Sequence, residues 1–358
     1  MDMPNLDLLR GRFANQHLAH PRLVDPAQIV AHLGAVQAQD YAAAKWALAQ
    51  RLRGATDAAL DAAFNAGAIL RTHVLRPTWH FVAPADIRWL LALTAPRVNL
   101  LLAHYDRQWG VEPAILKRGH AALARALQGG QQLTRAQIDT VLQAASIQLG
   151  GEGLGHVAMH AELDGLICSG PRRGKQFTYM LLDERVPPAP ALTRDEALLA
   201  LVTRYFTSHG PAHPQDFAWW SGLTLGDTRK GLAMAGARLS RATVNDQDFY
   251  FAPAAAPPIP PAAYLLPNYD EYTVAYKDRS HFHDAADFQS SNARANVPFA
   301  NMIVMGGRVV GIWKRTLGSK SVQVAATWLR PPTPAQQRAL EAALQRYGRF
   351  LGLPATLT

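Results

Sequence analysis

The chain has 358 residues, of which 49% are hydrophobic and 18% charged, and its formal net charge is +9. This composition excludes a disordered chain, and no apolar run reaches the ~18–20 residues of a membrane-spanning helix. The first residues lack a basic segment followed by an apolar one, so no signal peptide is expected. One cysteine, Cys168, excludes an internal disulfide and fits a cytoplasmic location. The positive charge permits binding to a polyanion without proving it.

The first part of the chain has the pattern of several helices followed by a two-stranded ribbon. Helices are predicted at about 5–20, 26–37, 42–53 and 57–66. The second of these begins with Asp25 as N-cap and Pro26 in the first helical position. The segment AILRTHVLRPTWHFV then has two β-rich runs that break at Arg76-Pro77. This order is typical of a winged helix-turn-helix module.

The same order recurs twice. In the second unit the strands are predicted at GLICSG and QFTYMLL, with PRRGK at the tip between them. Its helices are predicted at about 85–95, 97–108, 112–127, 135–148 and 154–163. In the third unit the strands are RLSRATV and DFYFAP. Its helices are predicted at about 194–208, 214–221 and 226–235.

The last part of the chain follows a proline-rich connector, APAAAPPIPPAA at 252–263. Alternating β character and a closing helix from about Pro334 to Phe350 predict a small α/β or β-barrel domain. The predicted fold class is therefore α+β, mainly α, with three tandem winged helix-turn-helix modules and a small C-terminal β-rich domain. The predicted boundaries are 1–95, 96–190, 191–252 and 263–358.

Common signatures of catalysis and cofactor binding are absent. In GPRRGKQ the first glycine is one residue too close to Gly174-Lys175 for a phosphate loop, and neither G-x-S-x-G nor H-E-x-x-H occurs. We therefore expect no cofactor. His281 and His283 could form a metal pair, but without a third ligand at a recognisable spacing we expect a solvated turn and no metal.

Basic side chains recur at the predicted hairpin tips and on a helix of the third unit. Any one of them can be an ordinary solvated cation, but together they favour contact with DNA phosphates. The DNA-binding candidates are Arg76, Arg172, Arg173, Lys175, Arg229, Lys230, Arg315 and Lys320.

The segment YLLPNYDEYTVAYKDRS, residues 264–280, is dense in aromatic and charged side chains. The structural interpretation is that Asp270 forms an ion pair with Lys277 or Arg279 that fixes two parts of the protein together.

Four blocks, LLPNYDEYTVAYKDRS, GPRRGKQFTYMLLDERVP, RYFTSHGPAHPQDFAWWSGLT and GRVVGIWKRT, resemble the winged-helix DNA glycosylases similar to AlkZ and YcaQ. The similarity runs from about residue 6 to 352. It implies three tandem winged helix-turn-helix motifs that hold a basic concave face against duplex DNA. It also implies excision of N-alkylated purines, especially N7-alkylguanine, and in some members the unhooking of interstrand crosslinks.

The AlkZ-like branch carries a glutamine–apolar–glutamine motif, whereas YcaQ-like members have aspartate in the last place. Gln37-Ala38-Gln39 matches the AlkZ-like form, so the resemblance assigns catalysis to Gln37 and Gln39. Without the resemblance, two glutamines at a helix end would be unremarkable surface residues.

Neutral amides suit this chemistry. N7-alkylguanine is already cationic, so it departs without a general acid. The enzyme must stabilise an oxocarbenium-like sugar and position water, and amide carbonyls can do both. Because residues i and i+2 of a helix diverge by about 200°, the helix must end near Val36 and the backbone must extend for both amides to face one site. Asp40 is then expected to cap the next helix.

The ribbon that follows supplies the candidates for the pocket. At least one of His73, Arg76, Thr78 and His80 is expected near Gln37 or Gln39, and Trp79 is expected in the core. Lys45, on the helix after the motif, is expected to be solvated, which argues for water as nucleophile.

The leading hypothesis is a monomeric, nucleoid-associated DNA glycosylase whose partner is double-stranded DNA containing alkylated purines. The alternative is a winged-helix transcription regulator without chemistry. A regulator usually dimerises on paired half-sites, and the sequence has no obvious dimerisation helix.

Overall fold

The structure is a computed structural model that describes residues 5–244, 246–253, 256–283 and 300–358. Its N-terminal part contains α1 (Asn5–Asn15), α2 (Pro26–Leu33), β1 (Val36–Gln37), α3 (Tyr41–Ala49), α4 (Asp57–Ala66), β2 (Leu70–Val74) and β3 (Arg76–Val82). The three strands form an antiparallel sheet in the order β1-β3-β2. The turn between β2 and β3 is at Leu75, whose φ of 64° is left-handed, and not at Arg76-Pro77 as the β-rich runs suggested.

Capping residues determine where the second helix begins and ends. Asp25 accepts a hydrogen bond from the main-chain N–H of Ala27, as expected for its N-cap. Gly34 ends the helix, because its φ of 85° is a conformation that glycine adopts without steric cost. The prediction that this helix continues to residue 37 is therefore wrong.

The second unit contains α5 (Ile87–Gln108), α6 (Pro113–Leu127), β4 (Leu133–Thr134), α7 (Arg135–Ala144), α8 (Gly151–Leu163), β5 (Ile167–Ser169), β6 (Thr178–Leu181) and α9 (Leu182–Arg185). Its sheet has the order β4-β6-β5.

The prediction of two helices that meet near Pro96 is wrong, because α5 runs through this proline. Proline removes one hydrogen bond from a helix, and burial of Val98 and Leu102 offsets that loss. The predicted boundary between residues 95 and 96 lies within α5.

The third unit contains α10 (Arg194–Ser208), α11 (Pro214–Ser221), α12 (Leu225–Ala235), β7 (Ser240–Val244) and β8 (Gln247–Phe251). The order of helices followed by a hairpin therefore occurs three times along the described chain. That each unit is a winged helix-turn-helix module stays a prediction.

The C-terminal part contains β9 (Ala263–Leu266), α13 (Glu271–Val274), β10 (Met302–Met305), β11 (Arg308–Leu317), β12 (Val322–Trp328), α14 (Pro334–Leu351) and β13 (Ala355–Leu357). The strands form one open sheet in the order β13-β12-β11-β10-β9, and Leu340 and Tyr347 of α14 are buried against it. Among the described residues this is the α/β alternative of the two predicted. Residues 254 and 255 of the predicted connector lie outside the described residues.

A buried ion pair joins the segment before α13 to the N-terminal part. Arg51, just after α3, donates to both carboxylate oxygens of Asp270, at 3.0 and 2.7 Å. Both side chains are buried. The expectation that Asp270 pairs with Lys277 or Arg279 is therefore wrong, because the partner comes from a distant part of the sequence.

Within the described residues, no helix is both long and apolar enough to cross a membrane.

Candidate active site

The Gln37-Ala38-Gln39 motif lies between two helices: Gln37 ends the short strand β1, and Gln39 lies in a bend just before α3. Gln37 pairs with His80 across β1 and β3, and the N–H of Ala38 donates to the carbonyl of Trp79 at 2.7 Å. Asp40 then caps α3 by accepting from the N–H of Ala43. The helix before the motif therefore ends at Leu33, as the requirement for both amides to face one site demands, and the side chain of Gln39 reaches back to the ribbon at Trp79.

The two glutamines differ in exposure. Gln37 is only 6% exposed, and its Oε1 accepts a 3.0 Å hydrogen bond from Nη2 of Arg76. Gln39 is exposed, and its Oε1 accepts from the main-chain N–H of Trp79 at 3.3 Å. An amide oxygen has two lone pairs. Each carbonyl is therefore oriented by one donor and keeps a second lone pair for a water or a cationic group.

A carboxylate that the sequence reasoning missed lies directly behind Gln37. Oε1 of Glu271 accepts the main-chain N–H of Gln37 at 2.8 Å, and Oε2 accepts the indole N–H of Trp220 at 2.9 Å. Nε2 of His209 lies 3.4 Å from Oε2. All of these side chains except that of Gln37 are completely buried. No local pattern marks Glu271, since its partners are distant in sequence.

The carboxylate of Glu271 is held in its charged form. Burial by itself raises the pKa of a carboxyl, but the hydrogen bond and charge of His209 and the N–H of Gln37 outweigh it and lower the pKa of Glu271 below its usual value. The site therefore contains a buried negative charge beneath the motif.

One face of the ribbon carries polar atoms without partners. Thr72 and Gln37 both pair with His80, so the three side chains share a face. The Oγ1 atoms of Thr72 and Thr78 and Nε2 of His80 are buried and have no hydrogen-bond partner among the described residues. Buried polar groups are normally satisfied, so this face is suited to ordered water or a polar ligand.

His80 is neutral in this environment. Burial and the nearby charge of Arg76 lower the pKa of His80 to about 3. Its Nδ1 lies 2.9 Å from the carbonyl of Thr78. Because a carbonyl only accepts, Nδ1 carries the proton, and Nε2 is an unprotonated acceptor close to Gln37.

Two arginines flank an exposed indole at the edge of the site. The guanidinium groups of Arg76 and Arg279 lie 5.9 and 5.5 Å from the ring centre of Trp219. This indole is 43% exposed, and its N–H donates to the carbonyl of Val274 at 3.1 Å. An exposed, anchored aromatic ring between two cations is suited to contact with a nucleic acid base and its phosphates.

The pocket candidates fall on opposite faces of the ribbon. Thr78 and His80 lie on the face of Gln37, but His73 lies on the other face, where it hydrogen-bonds Glu162 and packs on Trp79 with ring centres 4.3 Å apart. Trp79 is only half-buried, so its expected place in the core is wrong.

Lys45 is not solvated, contrary to the expectation. Its ammonium group lies 2.8 Å from Asp57 and 2.9 Å from Asp61, and the side chain is buried. The two carboxylates of α4 hold the charge, so this amine is engaged in an ion-pair network and not aimed at the motif.

The predicted DNA-binding cations differ in their burial and in whether another side chain already binds their charge. Arg76 belongs to the site itself. Arg172 is half-buried, with its guanidinium 4.7 Å from the ring centre of Tyr41 and Nη1 3.4 Å from Asp61. Arg173 donates to Gln132 and Gln137.

The remaining cations lie in the third unit and in the C-terminal part, except Lys175, which lies at the tip of the second hairpin. Lys230 pairs with Asp195 at 2.6 Å, and Arg315 donates to the hydroxyl of Tyr347. Exposed side chains are found at Lys175, Arg229 and Lys320.

His281 and His283 are both buried, so the expectation that they lie in a solvated turn is wrong. His281 lies 3.6 Å from Asp278, and within the described ranges neither His281 nor His283 belongs to a group of three potential metal ligands.

Comparisons with known proteins agree with this fold. The family described as "DNA glycosylase AlkZ-like" matches residues 30–350. An "Interstrand DNA cross-link repair glycosylase" of Streptomyces sahachiroi is 26% identical over 324 residues, covering 85% of each chain. The solved structure of Streptomyces sahachiroi DNA glycosylase AlkZ superposes with a TM-score of 0.81 at 22% identity, covering all of both chains. The chain belongs to the AlkZ-like family and is a DNA glycosylase.

Proposed function

We propose that this DNA glycosylase hydrolyses the N-glycosidic bond of cationic N-alkylated purines, N7-alkylguanine above all, in duplex DNA. Gln37 and Gln39 position the attacking water and stabilise the sugar in the transition state. The observation that carries the proposal is that a protein donor orients each amide carbonyl of the motif, Arg76 for Gln37 and the N–H of Trp79 for Gln39, which leaves each oxygen a second lone pair.

The reaction needs no general acid. When the bond between C1′ and N9 breaks, the bonding electrons go to the alkylated purine, which departs as a neutral base. The sugar becomes cationic, and the amide oxygens place their negative ends towards it. Water then forms the new bond to C1′ and releases its proton to solvent.

The charge of the site supports a cationic transition state. Glu271 is buried and ionised behind Gln37, so its field favours positive charge in front of the motif. Arg76 offsets part of that field but also fixes the carbonyl of Gln37. Neutral His80 adds an acceptor and no positive charge. The site thus has polar acceptors where the cationic sugar and base would lie.

An interstrand crosslink between N7 positions of guanine is an extension of the same substrate class. The Streptomyces relative carries crosslink repair in its name. A site whose exposed elements are Gln39 and Trp219, not a closed cavity, is compatible with a bulky lesion. We propose that one enzyme molecule acts alone, because one chain contains both glutamines and the exposed cations Lys175, Arg229 and Lys320.

Incubation with duplex DNA that contains one N7-methylguanine tests the proposal. Heat or alkali cleaves the abasic site, so a labelled strand should be cut at the lesion only after enzyme treatment. The same assay on an N7-linked crosslinked duplex should convert it to separable strands. The alternative of a non-enzymatic regulator predicts intact strands in both assays, and that result would exclude the proposed substrates.

A further inference from the structure

We propose that the second unit contains a site for a transition-metal dication, Zn²⁺ above all, formed by Asp106, His156 and His160. It lies outside the candidate active site. In the part of the chain that the structure describes, this is the one group of three or more potential ligands whose donor atoms converge.

The local sequence explains the convergence. His156 and His160 are four residues apart on α8, so their side chains lie on the same face of the helix. Asp106 is in the last turn of α5, which packs against α8. Nδ1 of His156 lies 2.7 Å from Oδ1 of Asp106, and Nε2 of His160 lies 3.0 Å from Oδ2. The three donor atoms all lie within 4.8 Å of one another.

The surroundings shield the site from solvent but do not close it. The side chains of Asp106, His156 and His160 are 13%, 8% and 7% exposed. The ring of Trp109 meets that of His156 edge-on at 4.4 Å, and Tyr105 stacks on Trp109 at 5.6 Å. An aromatic cover excludes bulk water and strengthens the attraction between a carboxylate and a cation.

The donor set selects the class of metal. Two imidazole nitrogens and one carboxylate oxygen suit Zn²⁺ and its transition-metal neighbours, whereas Ca²⁺ and Mg²⁺ prefer oxygen ligands alone. Three protein ligands leave the fourth tetrahedral position to water.

Without a metal, the same three side chains form a complete hydrogen-bonded group. The carboxylate of Asp106 accepts from both imidazoles, which explains their burial without a ligand. A metal replaces these two hydrogen bonds if each imidazole proton moves to the other ring nitrogen. Ligand bonds of about 2.0–2.1 Å place tetrahedral donors about 3.3 Å apart. The two carboxylate–imidazole distances of 2.7 and 3.0 Å then have to lengthen by a few tenths of an ångström, and the two nitrogens, within 4.8 Å of each other, have to take up the same spacing.

The position of the site indicates a structural role. A metal there would fix the end of α5 to α8. Glu162, two residues after His160 in the last turn of α8, hydrogen-bonds His73 of β2, a strand of the ribbon that pairs with the glutamine motif. Metal binding would therefore stabilise the second unit and its contact with the first.

Metal titration of the untagged, chelator-treated full chain tests the site. Co²⁺ should give the visible absorption of a tetrahedral complex that saturates at one equivalent, and Zn²⁺ should displace it. Zn²⁺ should also raise the melting temperature, because it binds the folded chain. Asp106→Asn and His160→Gln should weaken binding at least tenfold and remove the temperature shift, while circular dichroism confirms their folding.

His104→Gln is the matched control, since His104 is an exposed imidazole two residues from Asp106. This variant should bind one equivalent like the wild type. Two results would overturn the proposal: no saturable binding to the wild type, or saturable binding that Asp106→Asn and His160→Gln leave unchanged. In the second case the ion is held elsewhere.

Discussion

The main-chain N–H of Gln37 donates a 2.8 Å hydrogen bond to Oε1 of Glu271, which lies 234 residues further along the chain. This contact joins the motif in the first unit to α13, which lies between β9 and β10 of the C-terminal part. Trp220 donates to the other oxygen and His209 lies 3.4 Å from it, so three parts of the chain meet at one carboxylate. The position of Gln37 therefore depends on the assembled protein and not on its own unit alone.

Replacing Glu271 by Gln should slow excision more than it weakens DNA binding. Glu271→Gln keeps the shape but removes the charge that holds Gln37. Loss of a hydrogen bond to a charged group costs about 1.5–3 kcal/mol, or roughly 10- to 100-fold in rate if it is felt in the transition state. Single-turnover excision and duplex affinity measure the two effects separately.

Two further variants make this test specific. Glu271→Asp keeps the charge and should recover part of the lost rate. Glu152→Gln removes an exposed carboxylate of α8 and should cut like the wild type. If Glu271→Gln is folded and cuts at the wild-type rate, the carboxylate does not act on catalysis.

The exposed cations should determine the salt dependence of DNA binding. Each phosphate contact contributes about −0.9 to the slope of log affinity against log salt concentration on duplex DNA. Lys175→Ala and Lys320→Ala should each flatten this slope by about that amount. Lys117→Ala removes an exposed cation outside the candidate set and should leave the slope unchanged. Equal slopes for all three variants would place the DNA interface on another surface.

Arg172 should contribute to the free energy of unfolding, whereas its neighbour Lys175 should not. Its guanidinium packs on Tyr41 and Phe177, with ring centres at 4.7 and 5.2 Å, and contacts Asp61. Desolvated cation–π contacts and a partly buried ion pair together contribute about 1–2 kcal/mol. Arg172→Ala should therefore unfold at lower denaturant concentration than the wild type, whereas Lys175→Ala should not. An Arg172→Ala midpoint equal to that of the wild type would mean that these contacts are energetically neutral.

The protein should lose stability in mild acid. The pKa of His80 is about 3 in the folded chain, against a usual 6.5. Below pH 6.5 His80 binds a proton in the unfolded chain but not in the folded chain. The contribution of neutral His80 to the free energy of unfolding is therefore fully present above pH 6.5 and decreases as the pH falls towards 3. The loss is about 1.4 kcal/mol for each pH unit.

His80→Gln removes this titration. Its melting temperature should fall less between pH 7.5 and pH 5 than that of the wild type. His104→Gln, which removes an exposed histidine, should fall as much as the wild type does. Equal losses in the wild type and His80→Gln would show that His80 is protonated without cost.

The sequence predicted correctly those helix ends and helices that depend on interactions between residues close together in the chain. The cap at Asp25, the cap at Asp40 and the helix Arg194–Ser208 agree with the structure because capping and helical periodicity act over a few residues. Pro96 misled the prediction, because burial of one face of α5 outweighs a single lost hydrogen bond.

Contacts between distant segments could not be predicted in this way. Nothing near Asp270 indicates that its partner is Arg51, and nothing near Lys45 indicates that α4 will place two carboxylates around it. Glu271 was missed for the same reason. The glutamine motif itself was found through the family resemblance, since two amides have no distinctive chemistry in isolation.

The most direct test of the account is the single-turnover rate of N7-methylguanine excision, with enzyme in excess, for variants of the two glutamines. Gln37→Ala and Gln39→Ala should each lose about 10²–10³ in rate, as loss of one oriented dipole does, while duplex affinity and melting temperature stay nearly unchanged. If both amides hold one water, the double variant should lose less than the product of the two effects. Gln39→Asp should keep activity that Gln39→Ala lacks.

Gln28→Ala, which removes an exposed glutamine of α2, is the control and should cut at the wild-type rate. Only the motif variants should fall by two to three orders of magnitude in this one rate. If Gln37→Ala and Gln39→Ala both excise N7-methylguanine as fast as the wild type and the Gln28→Ala control, the amides are structural and the proposed mechanism is wrong.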